Sequence, residues 1–529
     1  MKKIPFDFKA SLQIPNWDKD FIAVIDEKEM DIFFGKQNQR IAKYVQSLQN
    51  DMTRDIVLLS LPILMDRINS YIVALASVQN SNSLNVHLAT TFPEVNFIQT
   101  GDKKYLENKT IQKPLVAQSL KTSLLRRIIR TATWTKWWKL PWTIIRPEVI
   151  AVSHNEIVQQ RAKMSKKRIY FYQASELLLA IDKIKIDDRD KMPRLENVNK
   201  MLYTMLIGDF RTKDSYLENF KYLADDFIQE FVSKNYASFQ KCLKYDKLPS
   251  YLWMGTGTTY SSRILALSVL RRGGKVLSCA HATGNTLNPS YERMYFGEFA
   301  VTNEFVEITP KAKDLYSQAY FRQFPAQVNQ PFQISSLQQN KKFKPYQQIS
   351  INKHKKPTVL YASNAMRNSG RGAPFSSYMS YLSWQLDLTR LLDVMDINLL
   401  CQPHPEGIFT DQSLVHPLRV KYNLPHQRLE AIIKKADVFL VDFIHSTTFG
   451  EILVTEKPIV RIGWLDDSDY YGVAQHLRPL LNRRCRDIQV EFDGENIPFL
   501  NKNDLEKALT NNWQEKIDSL EFRKILIGE

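Results

Sequence analysis

The sequence predicts an α/β protein built from two Rossmann-like domains. Residues 251–279 and 438–462 each show an apolar strand, a polar turn, a helical segment and a second strand, in that order. That order is typical of a parallel sheet with its crossover helix. Residues 331–357 lie between the two units and are rich in Gln, Asn and Lys without apolar periodicity. We therefore expect an N-terminal domain over 1–330, a linker over 331–357 and a C-terminal domain over 358–529.

Apolar patterning predicts the elements of the N-terminal domain. The expected strands are 21–25, 85–91, 148–153, 251–254, 275–279 and 298–302. The expected helices are 36–49, 53–80, 215–246, 261–270 and one that begins at Pro310. The turn at 255–259 contains two glycines but lacks the dinucleotide-binding spacing and the phosphate-loop lysine. We expect these glycines to let a substrate or the other domain approach the backbone closely.

The C-terminal domain repeats the same pattern. The expected strands are 358–362, 397–401, 438–443, 457–462 and 488–492, and the expected helices are 375–395, 426–435 and a terminal one from about 503. Polar loops at 363–371, 402–407 and 445–448 each follow an expected strand. Because the carboxyl ends of parallel strands lie at one edge of a sheet, we expect the three loops to open there together.

Three consecutive hydroxyl side chains, Ser446, Thr447 and Thr448, stand where a helix is expected to begin. Hydroxyls and the free N–H groups of a helix start suit a phosphate, and Glu451, one turn later, is placed to bind a ribose hydroxyl. The alternative interpretation is an ordinary N-cap followed by a surface Glu. The other two loops add six candidate nucleotide-binding residues: Asn364, Arg367, Arg371, His404, Pro405 and Glu406. This set of groups fits a nucleotide phosphate without a metal ion.

Segment 108–147 combines many Lys and Arg residues with no acidic residue, in a chain whose net charge is +16. Such an excess of positive charge attracts anions. Trp134, Trp137, Trp138 and Trp142 recur in the segment at helical spacings. We expect these four rings to contact an anionic membrane surface. Burial of the tryptophans in the domain core and stacking on single-stranded nucleic acid are the alternatives.

The sequence also predicts where in the cell the protein is located. The first residues lack the apolar core of a signal peptide, and the longest apolar run, 56–65, is too short to span a bilayer. The four cysteines show no metal-ligand spacing, which favours reduced thiols in a cytosolic protein. We expect a cytoplasmic protein, with peripheral attachment to the inner face of the cytoplasmic membrane as the alternative, and no nucleic-acid partner.

The C-terminal motifs resemble those of known transferases. His404-Pro405 followed by Ser446-Thr447 is similar to the HP and S/T motifs of bacterial sialyltransferases and capsule Kdo transferases. The order QPHPEG, ADVFLVDFIHSTTFGEI, KPIVRIG resembles the donor domain of bacterial surface-polysaccharide transferases. The two-domain layout resembles the GT-B glycosyltransferases, in which two Rossmann-like domains face each other across a cleft. CDP-glycerol polymerising transferases share that layout and have a His-containing loop similar to 279–284.

This resemblance implies metal-independent transfer of a sugar, a nonulosonic acid or Kdo, from a CMP-activated donor to a glycan or glycolipid acceptor. No cofactor is implied beyond the donor substrate. In the resembled families the HP histidine and the S/T motif hold the donor phosphate. Their acidic motif has no clean match here, so the catalytic base stays open among Asp209, His281 and Glu304. Alternatives are a CDP-glycerol-type polyol-phosphate transferase, a sugar-nucleotide epimerase or hydrolase, and a non-catalytic membrane or nucleic-acid binding module.

Overall fold

The structure is a computed structural model. It describes residues 2–19, 21–49, 51–107, 124–183, 195–208, 210, 214–280, 284–287, 290–328, 331–347, 355–366, 375–404, 407–410, 414–422, 429–464, 474–493 and 498–529.

The strands of the described residues are short and mostly buried. They are β1 (Lys2–Pro5), β2 (Val86–Ala89), β3 (Val149–Ala151), β4 (Ile169–Phe171), β5 (Tyr251–Met254), β6 (Lys275–Cys279), β7 (Glu304–Glu307), β8 (Gln333–Ser336), β9 (Thr358–Ala362), β10 (Asn398–Gln402), β11 (Val438–Val441), β12 (Ile459–Gly463), β13 (Arg486–Gln489), β14 (Glu491–Phe492) and β15 (Pro498–Phe499).

Helices connect most of these strands. They are α1 (Phe8–Ser11), α2 (Glu27–Ser47), α3 (Met52–Ser83), α4 (Pro93–Thr100), α5 (Lys104–Glu107), α6 (Leu124–Ala132), α7 (Leu140–Ile145), α8 (Glu156–Met164), α9 (Ala174–Asp182), α10 (Glu196–Ile207), α11 (Asp214–Lys244), α12 (Tyr260–Arg271), α13 (Gly284–Leu287), α14 (Tyr291–Gly297), α15 (Pro310–Gln323), α16 (Tyr378–Asp393), α17 (Pro417–Lys421), α18 (Leu429–Ile433), α19 (Thr447–Leu453), α20 (Arg478–Arg484), α21 (Lys502–Thr510) and α22 (Leu520–Leu526).

Two parallel sheets organise the chain. The first has the strand order β4-β3-β5-β6-β7-β8, and the second has the order β10-β9-β11-β12-β13. In the first sheet, β4 lies on one side of β3, and β5 to β8 follow on the other side. In the second sheet, β10 lies on one side of β9, and β11 to β13 follow on the other side. Such doubly wound sheets have a switch point, here between β3 and β5 and between β9 and β11, where ligands bind in related folds. The α/β class with parallel sheets is confirmed, and the strand order is compatible with two Rossmann-like units.

Alternate side chains of β11 show how the second sheet is buried. Phe439 and Val441 belong to the large apolar cluster that also covers the first sheet. Val438 and Leu440 belong to a separate cluster on the other side, which includes α16 and α21. Because successive residues of a strand point to opposite faces, both faces of this sheet are covered.

Each end of the chain contacts elements of the other half. The backbone N–H of Phe8 donates to the Tyr378 hydroxyl at 3.0 Å, so the N-terminus packs on α16. At the other end, the Asn340 N–H donates to the Ile527 carbonyl at 2.9 Å, beside the first sheet. The expected boundaries at 330 and 358 therefore do not separate all contacts of the two units, because the N-terminus contacts α16 and the C-terminus contacts the segment after β8.

Three expected elements differ from the structure. Segment 331–357 is not a linker throughout, because β8 pairs in parallel with β7 and Phe343 and Tyr346 are buried. Residues 298–302 form a 3-10 turn at Phe299–Val301 rather than a strand, and all three of its side chains are buried. Residues 21–25 form no strand and pair with none among the described residues. The apolar runs 298–302 and 21–25 pack in the core without strand pairing, and periodicity alone does not distinguish these two situations.

Helix α3 is long and apolar enough to span a membrane, although the apolar run 56–65 by itself is too short. In its most apolar stretch 83% of the residues are buried inside the protein. That burial fits a core helix, since α3 packs against α10, α11 and α12.

Candidate functional site

The carboxyl ends of β10, β9 and β11 bring three polar loops together. These strands are parallel neighbours, with β9 in the middle. His404 follows β10 and Ser446 follows β11, so the two lie on either side of the β9 end. Strands are about 4.8 Å apart, which puts the two loops roughly 10 Å from each other. The strands that precede these loops therefore end at one sheet edge, as the sequence predicts.

The loops after β9 and β10 are joined by backbone contacts. The Ile408 N–H donates to the Met366 carbonyl at 2.7 Å, and Met366 bridges Gly407. Gly407 has a φ of +100°, and a Cβ at this position would overlap the Met366 carbonyl oxygen. Only glycine fits this close approach without displacing one of the two loops.

Asp442 lies at the second switch point, directly after β11. Its Oδ2 accepts hydrogen bonds from the Tyr361 hydroxyl at 2.6 Å and the Tyr381 hydroxyl at 2.8 Å. The Tyr381 hydroxyl in turn accepts the backbone N–H of Asn364 at 2.9 Å. Asp442 therefore ties the loop after β9 to the end of β11 and to α16.

Burial raises the pKa of Asp442 to about 7, although the two tyrosine hydrogen bonds lower it. Its Oδ1 is buried and has no hydrogen-bond partner within the part of the chain that the structure describes. Sequence reasoning missed this residue. The available signal was a single carboxylate inside the apolar run 438–443, since carboxylates are seldom fully buried without partners.

Ser446 is the N-cap of α19, as the alternative interpretation proposed. Its Oγ accepts the Phe449 N–H at 3.1 Å. Thr447 and Thr448 form the first turn and are partly exposed. Glu451 is buried rather than on the surface, and its Oε1 lies 3.8 Å from Nζ of Lys342. The carboxylate is therefore partly matched by a lysine of the segment expected to be a linker.

At the carboxyl edge of the first sheet, the glycine turn at 255–259 is held by buried charges. Glu298 accepts the Gly257 N–H at 2.5 Å and the Thr256 hydroxyl. Arg263 donates to the Gly257 carbonyl at 3.0 Å and to the Phe296 carbonyl at 2.7 Å. Burial lowers the pKa of Arg263 to about 9, while Glu298 opposes that change.

This arrangement corrects the expectation for the two glycines. A Cβ on Gly257 would meet Val301 and Glu298, and one on Gly255 would meet Asn155. The glycines therefore let other segments of the same unit approach the turn. The Gly257 amide, which would otherwise suit an anion, is already occupied by the Glu298 carboxylate.

The carboxyl edges of the two sheets meet at one backbone hydrogen bond. The Ala474 N–H donates to the Leu287 carbonyl at 3.0 Å. Leu287 belongs to α13, in the connection that follows β6, and Ala474 lies in the connection that follows β12. The carboxyl edges of both sheets therefore border the same region.

No protein-family model, curated protein or solved structure matches this chain.

Of the three candidate bases, Glu304 lies among the described residues. Glu304 is the first residue of β7, at the amino end of that strand, and it pairs with Arg161 at 3.1 Å and with the Ser335 hydroxyl at 2.6 Å. That position, away from the carboxyl-edge loops, argues against a role as the base. Asp209 and His281 lie outside the described residues, as do these four expected phosphate contacts: Arg367, Arg371, Pro405 and Glu406.

A cavity of about 880 Å³ lies along the amino ends of β5 to β8. Its lining includes Arg161, Arg271 and Glu304. Arg161 pairs with Glu304, and Arg271 pairs with Asp55, so these charges are matched within the protein. The cavity is also on the opposite edge from the switch points, so we favour the carboxyl-edge loops as the functional site.

Among the described residues no cluster of three His, Cys, Asp or Glu side chains could hold a metal ion.

Proposed function

We propose that this protein is a GT-B-type glycosyltransferase that moves a sugar from a nucleotide-activated donor to an acceptor hydroxyl. The observation that carries the proposal is the hydrogen bond between Ala474 and Leu287, which joins the carboxyl-edge connections of the two sheets. Two doubly wound sheets that meet in this way offer one substrate each to a shared crevice.

The second sheet supplies the donor side of this proposal. His404 follows β10, and Thr447 and Thr448 follow β11, on either side of the β9 end. In this proposal these side chains hold the donor phosphate. Hydrogen-bond donors at that point would stabilise the negative charge that develops on the leaving phosphate. Asp442 acts as a positioning residue, since its two tyrosine partners fix the loop that carries Asn364.

The reaction itself is a substitution at the anomeric carbon. The acceptor oxygen forms a bond to that carbon, while the bond from the carbon to the phosphate oxygen breaks and its electron pair stays on the nucleotide. A base removes the acceptor proton. Asp209 and His281 remain the candidates for that base, because Glu304 is paired with Arg161 at the amino end of β7.

The motif resemblance favours a CMP-linked nonulosonic acid or Kdo as the donor, a glycan or glycolipid as the acceptor, and no metal ion. Closure of the two units around the substrates would exclude water and so limit hydrolysis of the donor.

The test is the thermal stability of the full chain with CMP, CDP and UDP, followed by incubation with a panel of CMP-sugars and mass analysis of the products. A ligand present at a hundred times its Kd stabilises a protein by about 2.7 kcal/mol. Stabilisation by CMP and a new glycoside support the proposal. Stabilisation by CDP alone points to a polyol-phosphate transferase, and no effect of any nucleotide overturns the nucleotide site.

A further inference from the structure

Residues 124–146 present many exposed apolar side chains. Trp137 is 80% exposed, Trp142 is 62% exposed and Ile145 is 68% exposed. The exposed large apolar side chains of this region are Leu124, Leu125, Ile129, Trp137, Trp138, Trp142 and Ile145. They are seven of the twenty such side chains among the described residues, so exposed apolar side chains are concentrated in this one segment rather than scattered singly.

Cations surround these rings, and acids are missing between 124 and 147. Arg126, Lys136, Lys139 and Arg146 are exposed. Two acids border this segment, and both are paired with arginines. Glu148 lies 3.3 Å from Arg168, and Glu176 lies 3.0 Å from Arg127. The surface that faces solvent is therefore both apolar and net positive.

Trp134 anchors this surface to the first sheet. Its ring is only 6% exposed and stacks on His154 at 5.2 Å with an angle of 25° between the rings. It also meets Phe171 of β4 edge-on at 5.7 Å. Nearby, the Thr131 hydroxyl accepts the Phe171 N–H at 3.1 Å. The expectation that Trp134 contacts a membrane is therefore wrong, because this ring packs in the core, as the alternative interpretation stated.

We propose that residues 124–146, which we call the tryptophan surface, dock the protein on an anionic lipid bilayer. Tryptophan and branched apolar side chains insert at the boundary between headgroups and acyl chains. Lysine and arginine beside them attract anionic headgroups, and their long side chains reach the phosphate layer.

Charge complementarity favours lipid over a protein partner. Lysine is depleted at protein–protein interfaces, whereas Lys136 and Lys139 flank the tryptophans here and no acid occurs within 124–147. The fixed anchor at Trp134 and β4 means that docking requires no rearrangement of the described residues. The proposal goes beyond the transferase function and does not depend on it.

The test is co-sedimentation of the full chain with vesicles of phosphatidylcholine, with and without phosphatidylglycerol. We expect binding to the anionic vesicles that weakens as salt is raised. The triple variant Trp137→Ser, Trp138→Ser, Trp142→Ser, and separately Lys136→Ala, Lys139→Ala, Arg146→Ala, should each bind more than about tenfold more weakly.

A matched control replaces exposed apolar residues elsewhere: Leu84→Ser, Val394→Ser and Val420→Ser. This variant should bind vesicles as the unmodified protein does, and all three variants should keep their circular dichroism spectrum and melting temperature. The proposal is overturned if the unmodified protein ignores anionic vesicles or if the tryptophan variant binds them unchanged. It is equally overturned if sedimentation velocity without lipid shows that the tryptophan variant loses a self-associated state, since the surface would then join two copies.

Discussion

The hydroxyl of Tyr381 donates to Oδ2 of Asp442 across 2.8 Å, inside the second sheet's switch point. Tyr381 belongs to α16, and Asp442 directly follows β11, so this bond joins the first crossover helix of the sheet to the end of the strand on the other side of β9. The same carboxylate holds Tyr361 of β9. The position of the loop that contains Asn364 therefore depends on one buried acid.

Asp442→Asn should change how stability depends on pH. Burial raises the pKa of Asp442 from 3.8 to about 7 in the folded protein. The folded state then binds a proton more tightly than the unfolded state, so this contribution is fully present below about pH 4 and is lost as the pH rises through about 7. Between about pH 4 and pH 7, the free energy of unfolding of the unmodified protein should fall by up to about 4 kcal/mol relative to that of the variant.

Urea denaturation midpoints at a series of pH values measure this effect. The control is Asp396→Asn, whose parent side chain is 84% exposed and which should leave the profile unchanged. Parallel profiles for the unmodified protein and Asp442→Asn would contradict the buried, protonated carboxyl.

Gly407→Ala should separate the loops after β9 and β10. The new Cβ would overlap the Met366 carbonyl at a φ of +100°, so one loop has to move. Gly273→Ala is the matched control, since its φ is +75° but no atom lies within 4 Å of the added Cβ. In both variants an alanine at positive φ costs about 1 kcal/mol. Only Gly407→Ala adds the overlap with the Met366 carbonyl.

We expect urea midpoints to show a loss of about 1 kcal/mol for Gly273→Ala and at least twice that for Gly407→Ala. Equal losses would mean that the contact between Met366 and Gly407 does not exist in solution.

Arg263→Met should be strongly destabilising. Arg263 is fully buried and donates to backbone carbonyls of Gly257 and Phe296, and it also faces Glu298. Removal leaves buried acceptors and a buried carboxylate without their partner, which typically costs about 3–5 kcal/mol.

Arg390→Met is the control for a surface ion pair, because Arg390 is 42% exposed and pairs with Asp387. It should change the free energy of unfolding by only about 0–1 kcal/mol. Similar denaturation midpoints for the two variants would argue against the buried cluster around the glycine turn.

His404→Ala should weaken nucleotide binding without unfolding the protein. A charge-assisted hydrogen bond to phosphate contributes about 1.5–3 kcal/mol, so the Kd for CMP should rise by roughly tenfold or more. Titration calorimetry measures the change, and His87→Ala provides a control on the exposed face of β2. An unchanged affinity in His404→Ala would remove the phosphate role of that imidazole.

Local sequence predicted the unit around β11 well. An apolar run of strand length, a Ser at the N-cap and a resumed apolar run led to β11, α19 and β12, because each element depends on neighbours in sequence. The parallel pairing of β9, β10 and β11 also followed from the helices between them. The strands β7 and β8 did not follow, since their pairing depends on residues far along the chain and their short runs resemble turns and linkers.

The amino-acid sequence by itself determined the α/β class, the two parallel sheets and the basic, tryptophan-rich segment, since these follow from periodicity and composition. The tertiary structure alone decided which of four similar tryptophans is buried, because only Trp134 meets His154 and β4. It also decided that Asp442 and Glu298 are internal, and that the two sheets meet at Ala474 and Leu287. The physical reason is that burial and contact depend on segments distant in sequence, which local patterns do not encode.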